Sequence, residues 1–214
     1  MGYLHLQHTL KAIALTIPAA RALEMTVEPV SSEGGSRDSQ VHRRPVLGPD
    51  LNLNGLVSYP SGSLGYTYAK VMKHLGYAAH FYGDRPSIGE ETDYVTMRVR
   101  KTHDLHHIVT GFSMSGPGEQ GVIAITALQY GYPAFMTIDL GVIALSMLRF
   151  DGWSDQVRYV RCGWDMGEHI TPLLGVRWED DLDKALDVWR RELNLEPIRE
   201  GPNSWYTVLS DLRL

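Results

Sequence analysis

The stretch from Gly121 to Leu148 restricts the fold more than any other part of this chain. Asp139 is its single formal charge. A membrane span needs about 20 unbroken apolar residues, and here Gly131-Tyr132-Pro133 interrupts the run. Asp139 at the bilayer centre would cost roughly 3 kcal/mol more. The stretch therefore predicts two buried helices of a soluble bundle. Helices that are apolar all round belong to a core, or they line an apolar pocket.

The remainder of the chain agrees with a helical bundle. At 214 residues it makes one domain, long enough to bury about 70% of its unfolded surface. Its net charge of −5 argues against a nucleic-acid partner. Cys162 is the sole cysteine, so neither an internal disulfide nor a cysteine-based zinc site is available. It reads as a small buried side chain in a reducing compartment. Residues 1–25 read as an N-terminal amphipathic helix, with Leu6, Leu10, Ile13, Ile17 and Ala20 on one face and a bend at Pro18. No small-residue cleavage site stands out there, and Glu24 and Glu28 do not suit an Arg-rich transit peptide. Residues 26–54 are rich in Ser, Gly, Pro and charge and read as a loop or linker.

Residues 55–214 are expected to form the helical domain. Leu64, Tyr68, Val71, Met72 and Leu75 mark one helix face, closed by Gly76. Residues 83–91 are turn-rich. A helix is predicted from about Glu90 to Thr110, with Gly111 ending it. The next restarts near Glu119, breaks at Gly131-Tyr132-Pro133 and resumes to Arg149; another covers Ser154 to Leu174. "DDLDKALDVWRREL" places Leu182, Ala185, Leu186, Trp189 and Leu193 on one side, with acids early and arginines late, as the helix dipole favours. The tail "SWYTVLSDLRL" fits strand or helix. The fold class is all-α, a single-domain helical bundle with an irregular N-terminal loop.

The densest ligand chemistry is in "THDLHHIVTGFSMSGPGE". His103 and His107 share a helix face at i, i+4, the spacing with which helices grip divalent metals. Asp104 borders that face, and His106 points about a third of a turn away. On an unbroken helix Glu119 would lie about 18 Å from His107. Gly111, Gly116 and Gly118 permit reversals, so the chain can fold back and bring Glu119 to a His103, Asp104, His107, Glu119 set. Such donors suit zinc, iron(II) or manganese, and magnesium less well. Asp104 stands where HExxH metalloproteases carry their general-base glutamate, which argues against a protease. The alternative for all four is a solvated helix end.

Four motifs in order are similar to the coenzyme Q biosynthesis protein family, the fourth member of the ubiquinone pathway set. "HDLHHIVTG" followed by Glu119 fits its HDxxH, eleven residues, E signature. "YPSGSLGYTYAKVM" resembles its Pro-x-Gly-Thr-Leu-Gly-x-x-Tyr helix start, through Pro60, Gly62, Ser63, Leu64, Gly65 and Tyr68. "MRVRKTHD" resembles its Arg-x-Arg-x-x-His-Asp entry, through Arg98 and Arg100, and "GVRWEDDLDKALDVWRRELNL" its closing helix. The likeness spans roughly residues 55–195. The family usually has Trp where this chain has His106, and the segment before Asn54 is shorter here.

The resemblance implies an all-α protein peripheral to membranes, needed for ubiquinone assembly, with His103, Asp104, His107 and Glu119 as ligands of a divalent metal. Zinc leads, with iron, manganese or magnesium as alternatives. The implied partners are a polyprenyl or isoprenoid lipid or a prenylated quinone precursor, and other quinone-biosynthesis proteins; a homodimer is left open. The implied activity is oxidative decarboxylation of the prenylated ring. The alternative is a non-catalytic lipid-binding scaffold with a structural metal. The expected place is the cytoplasmic side of the inner membrane, or the matrix side of the mitochondrial inner membrane in a eukaryote.

From the residues themselves, Arg98, Arg100 and Tyr68 are candidates for an anionic head group or for the lipid, against the commoner fates of ion pairing and core packing. Tyr66 and His169 are weaker ones. The apolar helices at 121–148 and the first helix could line a prenyl trough, where each buried methylene contributes about 0.8 kcal/mol. A His-Asp metal phosphohydrolase using His74, His80 and Asp139 is the third reading.

Overall fold

The computed structural model describes residues 51–76, 91–131, 133–149 and 152–212. The N-terminal helix, most of the 26–54 loop, the 83–90 connection and His80 lie outside the described residues. Among those described the fold is helical, with no strand beyond two isolated bridges, Ser63 to Ala185 and Phe112 to Ser204.

The helices are α1 (Leu53–Leu56), α2 (Leu64–His74), α3 (Glu91–Thr110), α4 (Gly116–Tyr130), α5 (Pro133–Leu148), α6 (Trp153–His169), α7 (Leu186–Glu192) and α8 (Trp205–Val208). Two 3-10 turns, Leu173–Gly175 and Trp178–Asp180, link α6 to α7. Ser63 caps α2 by accepting from the Tyr66 amide. Two further orphan amides of that end donate outward, Leu64 to the Lys184 carbonyl and Gly65 to the Leu182 carbonyl. The Lys184 amide closes a turn onto the Asp181 carbonyl at 3.0 Å, so the acid-rich start of "DDLDKALDVWRREL" is a turn whose carbonyls cap α2, and α7 begins only at Leu186. Leu182, Leu186, Trp189 and Leu193 are nevertheless buried, whereas Ala185, expected on the same side, is exposed because it lies in the turn ahead of α7.

Two other boundaries differ from expectation. The helix expected to start near Glu119 begins at Gly116, with Pro117 in its first turn. A first-turn proline removes an amide that has no partner anyway. The helix expected to reach Leu174 ends at His169, where Ile170 turns extended ahead of Pro172.

α4 packs most extensively on α6. A Cβ on Gly163 would sit 2.1 Å from the Gly121 carbonyl oxygen, and Gly167 lies against Ile125. The contacts advance together along both helices, so the two run parallel, in backbone-close contact that only glycine allows. Leu105, Ile108, Val109, Phe112, Val122 and Ile125 share one core with Leu64, Trp178 and Trp205.

The expectation of two buried apolar helices holds for α4 alone. α5 is covered on one side by α4 and α6, and its other side bares Met136, Leu140, Leu145, Met147 and Leu148. Leu140 is 66% and Leu148 78% exposed. The charge on this helix is turned the other way: Asp139 is buried, and its Oδ1 has no hydrogen-bond partner. Among the described residues, no helix is long and apolar enough to cross a membrane.

Burial raises the Asp139 pKa from 3.8 to about 8. Between those values the folded protein keeps a proton that the unfolded chain has released, so stability falls as pH rises, by up to about 1.4 kcal/mol per pH unit. Asp139→Asn should remove that slope. Urea unfolding should show it equal to wild type near about pH 4 and more stable by roughly 2–4 kcal/mol near about pH 8.

Candidate metal centre

α3 sets His103 and His107 one turn apart, ring centroids 4.8 Å from each other. Gly111 ends the helix at φ +87, where a Cβ would meet the Ile198 carbonyl oxygen at 2.2 Å. The last carbonyls of α3 then need donors, and the C-terminal part of the chain supplies them. Arg190 donates Nη2 to Ile108 O (3.0 Å) and Nε to Val109 O (2.9 Å). The Ile198 amide donates to Thr110 O (2.8 Å) and the Trp205 amide to Gly111 O (3.0 Å).

The Phe112 carbonyl lies 3.1 Å from His107 Nδ1. That ring nitrogen donates to it, leaving the Nε2 lone pair for the site, the orientation that metal-binding histidines usually show. From Ser113 the chain reverses. A Cβ on Gly118 would sit 2.0 Å from the Ser113 carbonyl oxygen, so the first turn of α4 packs hard on the reversal. Glu119, whose amide bonds the Ser115 carbonyl at 2.8 Å, is thereby brought back to α3.

Three side chains converge. His103 Nε2 lies 3.0 Å from Glu119 Oε2, His107 Nε2 lies 3.2 Å from His103 Nε2, and His107 Nε2 lies 3.5 Å from Glu119 Oε1. Bonds of 2.0–2.1 Å in tetrahedral geometry put donor atoms about 3.3 Å apart, so the spacing fits a small divalent ion. Burial alone would raise the Glu119 pKa, but the adjacent imidazoles overcome it and hold the carboxyl well below its usual range. Burial likewise lowers His103, and the hydrogen bond and charge of Glu119 more than reverse it.

Asp104 is not one of the three converging ligands. Its carboxyl lies close enough for His103 and His107 to draw its pKa down, although burial keeps it raised overall. His106 is buried against Trp178, ring centroids 6.0 Å apart, and burial holds its pKa well below normal, so it is a neutral core residue. Tyr68 is buried in the core and Arg100 is half-buried on α3; neither belongs to the converging group. His169 is exposed, with Nδ1 2.7 Å from Asp165 O.

Arg98 differs most from a head-group ligand. It is fully buried and donates to Glu179 Oε2 at 2.9 Å, to the Val176 carbonyl and to the Leu174 carbonyl. It joins α3 to the two 3-10 turns. Sequence reasoning also missed the roles of Arg190 and Asn203, whose partners lie about 80 or more positions away and follow no local pattern.

The model of the family described as "Coenzyme Q (ubiquinone) biosynthesis protein Coq4" matches residues 19–199. The chain belongs to this family. Among relatives, the mitochondrial ubiquinone biosynthesis protein of Uncinocarpus reesii is 31% identical over 72% of this chain and 55% of its own length. That of Penicillium rubens is 30% identical over 72% and 54%, and the Anopheles gambiae homologue is 28% identical over 78% and 58%. The chain thus spans about half the length of the curated relatives it matches. A crystal structure of a Nostoc punctiforme protein, titled as a ubiquinone biosynthesis protein, superposes with TM-score 0.58 at 26% identity, covering 66% of this chain and 67% of that one. Of the four residues in the HDxxH…E pattern, the fold brings His103, His107 and Glu119 together, with Asp104 beside them.

Removing one partner of a buried ion pair strands the other charge. Arg98→Ala should therefore lower stability by about 3–5 kcal/mol in urea unfolding. A head-group ligand would leave stability nearly unchanged.

Proposed function

We propose that this Coq4-family protein holds a divalent metal on His103, His107 and Glu119 and acts there on the ring of a polyprenylated ubiquinone precursor. The convergence of the three side chains carries the reading. Zinc suits two imidazoles and a carboxylate best, with iron(II), manganese and magnesium behind it. Asp104, beside His103, is the candidate for a fourth position. When bound, the ion supplies a Lewis acid that can orient a ring carboxylate or phenolate and stabilise developing charge. His107 is held by Phe112 O to present Nε2, and Glu119 approaches from α4, so two helices define the place where the ring head would lie. The proposed reaction replaces the ring carboxyl by a hydroxyl: the carboxyl leaves as carbon dioxide, water supplies the hydroxyl oxygen, and a two-electron oxidant from outside the chain takes up the two electrons as two protons are released.

A scaffold reading rests on a separate observation. The triad joins the end of α3 to the start of α4, so a metal there would also staple the reversal. A phosphohydrolase has no support: His74 lies 3.8 Å from Asp211, and neither His74 nor Asp139 is among the converging ligands.

His107→Ala separates the two main readings. The catalytic reading expects wild-type protein to carry about one metal per chain by elemental analysis. It expects the variant to lose that metal and quinone production while keeping its helical circular dichroism. Loss of the fold with the metal would favour the scaffold.

The exposed apolar side of α5, continued by Trp153 and Val157 on α6, supports peripheral attachment to a membrane. The relatives' names place them in mitochondria, and we infer the matrix side of the inner membrane for a eukaryotic host, or its cytoplasmic face otherwise. Other quinone-biosynthesis proteins are the expected neighbours there. Leu140→Asp with Leu148→Asp should cut co-flotation with phospholipid vesicles about tenfold or more while metal content stays the same. Conversion of a dimer to a monomer, with flotation retained, would instead assign this face to a second copy.

A further inference from the structure

We propose that Asn203 is a positioning residue of the metal centre, fixing the start of α4 so that Glu119 meets His103 and His107. The inference rests on the metal reading above. Asn203 lies just ahead of α8, is 6% exposed, and grips the reversal twice. Its carbonyl accepts from the Ser113 amide at 2.7 Å, and its Oδ1 accepts from Ser115 Oγ at 2.8 Å. Ser113 Oγ lies 2.7 Å from Ser115 Oγ, so the two hydroxyls and the amide form one chain of hydrogen bonds.

The use made of Ser115 points to this role. It is the N-cap of α4, and a serine there normally accepts from an amide of its own helix. Here it makes no such bond, because its hydroxyl is directed at Asn203 instead. Local helix capping is given up for a tie to a residue 88 positions away. The carbonyl of the same serine receives the Glu119 amide at 2.8 Å. The path from Asn203 to the ligand is therefore two hydrogen bonds, through a single residue. Groups that orient metal ligands typically carry 10–100-fold in affinity, and Asn203 does so here from outside the site.

The test is competition of the full chain with a chromophoric chelator for zinc(II). Asn203→Ala and Ser115→Ala should each weaken zinc binding by about 10–100-fold. The double variant should be no weaker than the worse single one, because both break the same tie. Asn203→Asp keeps the acceptor and should recover affinity to within a few-fold, which a general packing loss would not allow. In metal-free protein, amide exchange at Glu119, Gln120 and Gly121 should speed up in Asn203→Ala while the middle of α6 is unchanged.

Wild-type affinity in Asn203→Ala overturns the proposal, as does an Asn203→Asp variant that binds no better than Asn203→Ala. If Asn203→Ala does not fold, Ser115→Ala and Asn203→Asp decide by the same measures. If wild-type protein binds no zinc, the metal reading fails on its own. Exchange at the start of α4 then still judges Asn203, and an unchanged rate overturns it.

Discussion

The end of α3 is the constraint from which the rest of this structure follows. A buried helix terminus leaves carbonyls that must find donors, and here those of Ile108, Val109, Thr110 and Gly111 find them in the C-terminal quarter of the chain: Arg190, Ile198 and Trp205. The bridge of Phe112 to Ser204 and the grip of Asn203 continue the same seam. The tail is thus the mould in which the reversal between α3 and α4 is cast. Without it the Gly111 carbonyl and the Ser113 amide would lose their partners.

The site inherits its order from that mould. His107 is oriented by the Phe112 carbonyl, which the seam holds, and Glu119 is delivered by a helix whose first turn packs on Ser113. The three converging side chains therefore sit on helices rather than on a loose loop, which fixes their mutual placement. Behind them Arg98 and Glu179 lock α3 to the 3-10 turns, and the Gly121 to Gly163 contact locks α4 to α6. Both devices brace the two helices that carry the converging side chains. α5 departs from this pattern: it is half-covered, with its one charge turned inward, so its exposed side is free of formal charge from Met136 to Leu148.

Much of the helical layout was readable. The buried face of α2 follows apolar spacing, and Gly111 and Gly131 both take the positive φ that ends a helix. The ligand set was readable for a different reason: i, i+4 histidines declare a shared face, and the glycines after Thr110 declare a turn. Other features were legible only in part. Pro117 lies ahead of the helix start expected near Glu119 and is a first-turn residue of α4. The stretch 181–185 has helical spacing but forms a turn whose carbonyls accept from the amides of Leu64 and Gly65. Apolar character in α5 did not reveal burial, because composition does not say which neighbours exist to cover a helix.

The sequence by itself determined the helical class, a candidate set of His103, Asp104, His107 and Glu119, and the need for a reversal within it. Helical periodicity and glycine freedom are local properties, written within a few residues. Only the tertiary structure decided that Asp104 stands aside from the triad, that Arg98 serves Glu179, and that Asn203 holds the start of α4. Each of those outcomes depends on which distant groups meet a side chain after folding. A hydrogen bond spanning 88 positions leaves no periodic trace in the chain that makes it.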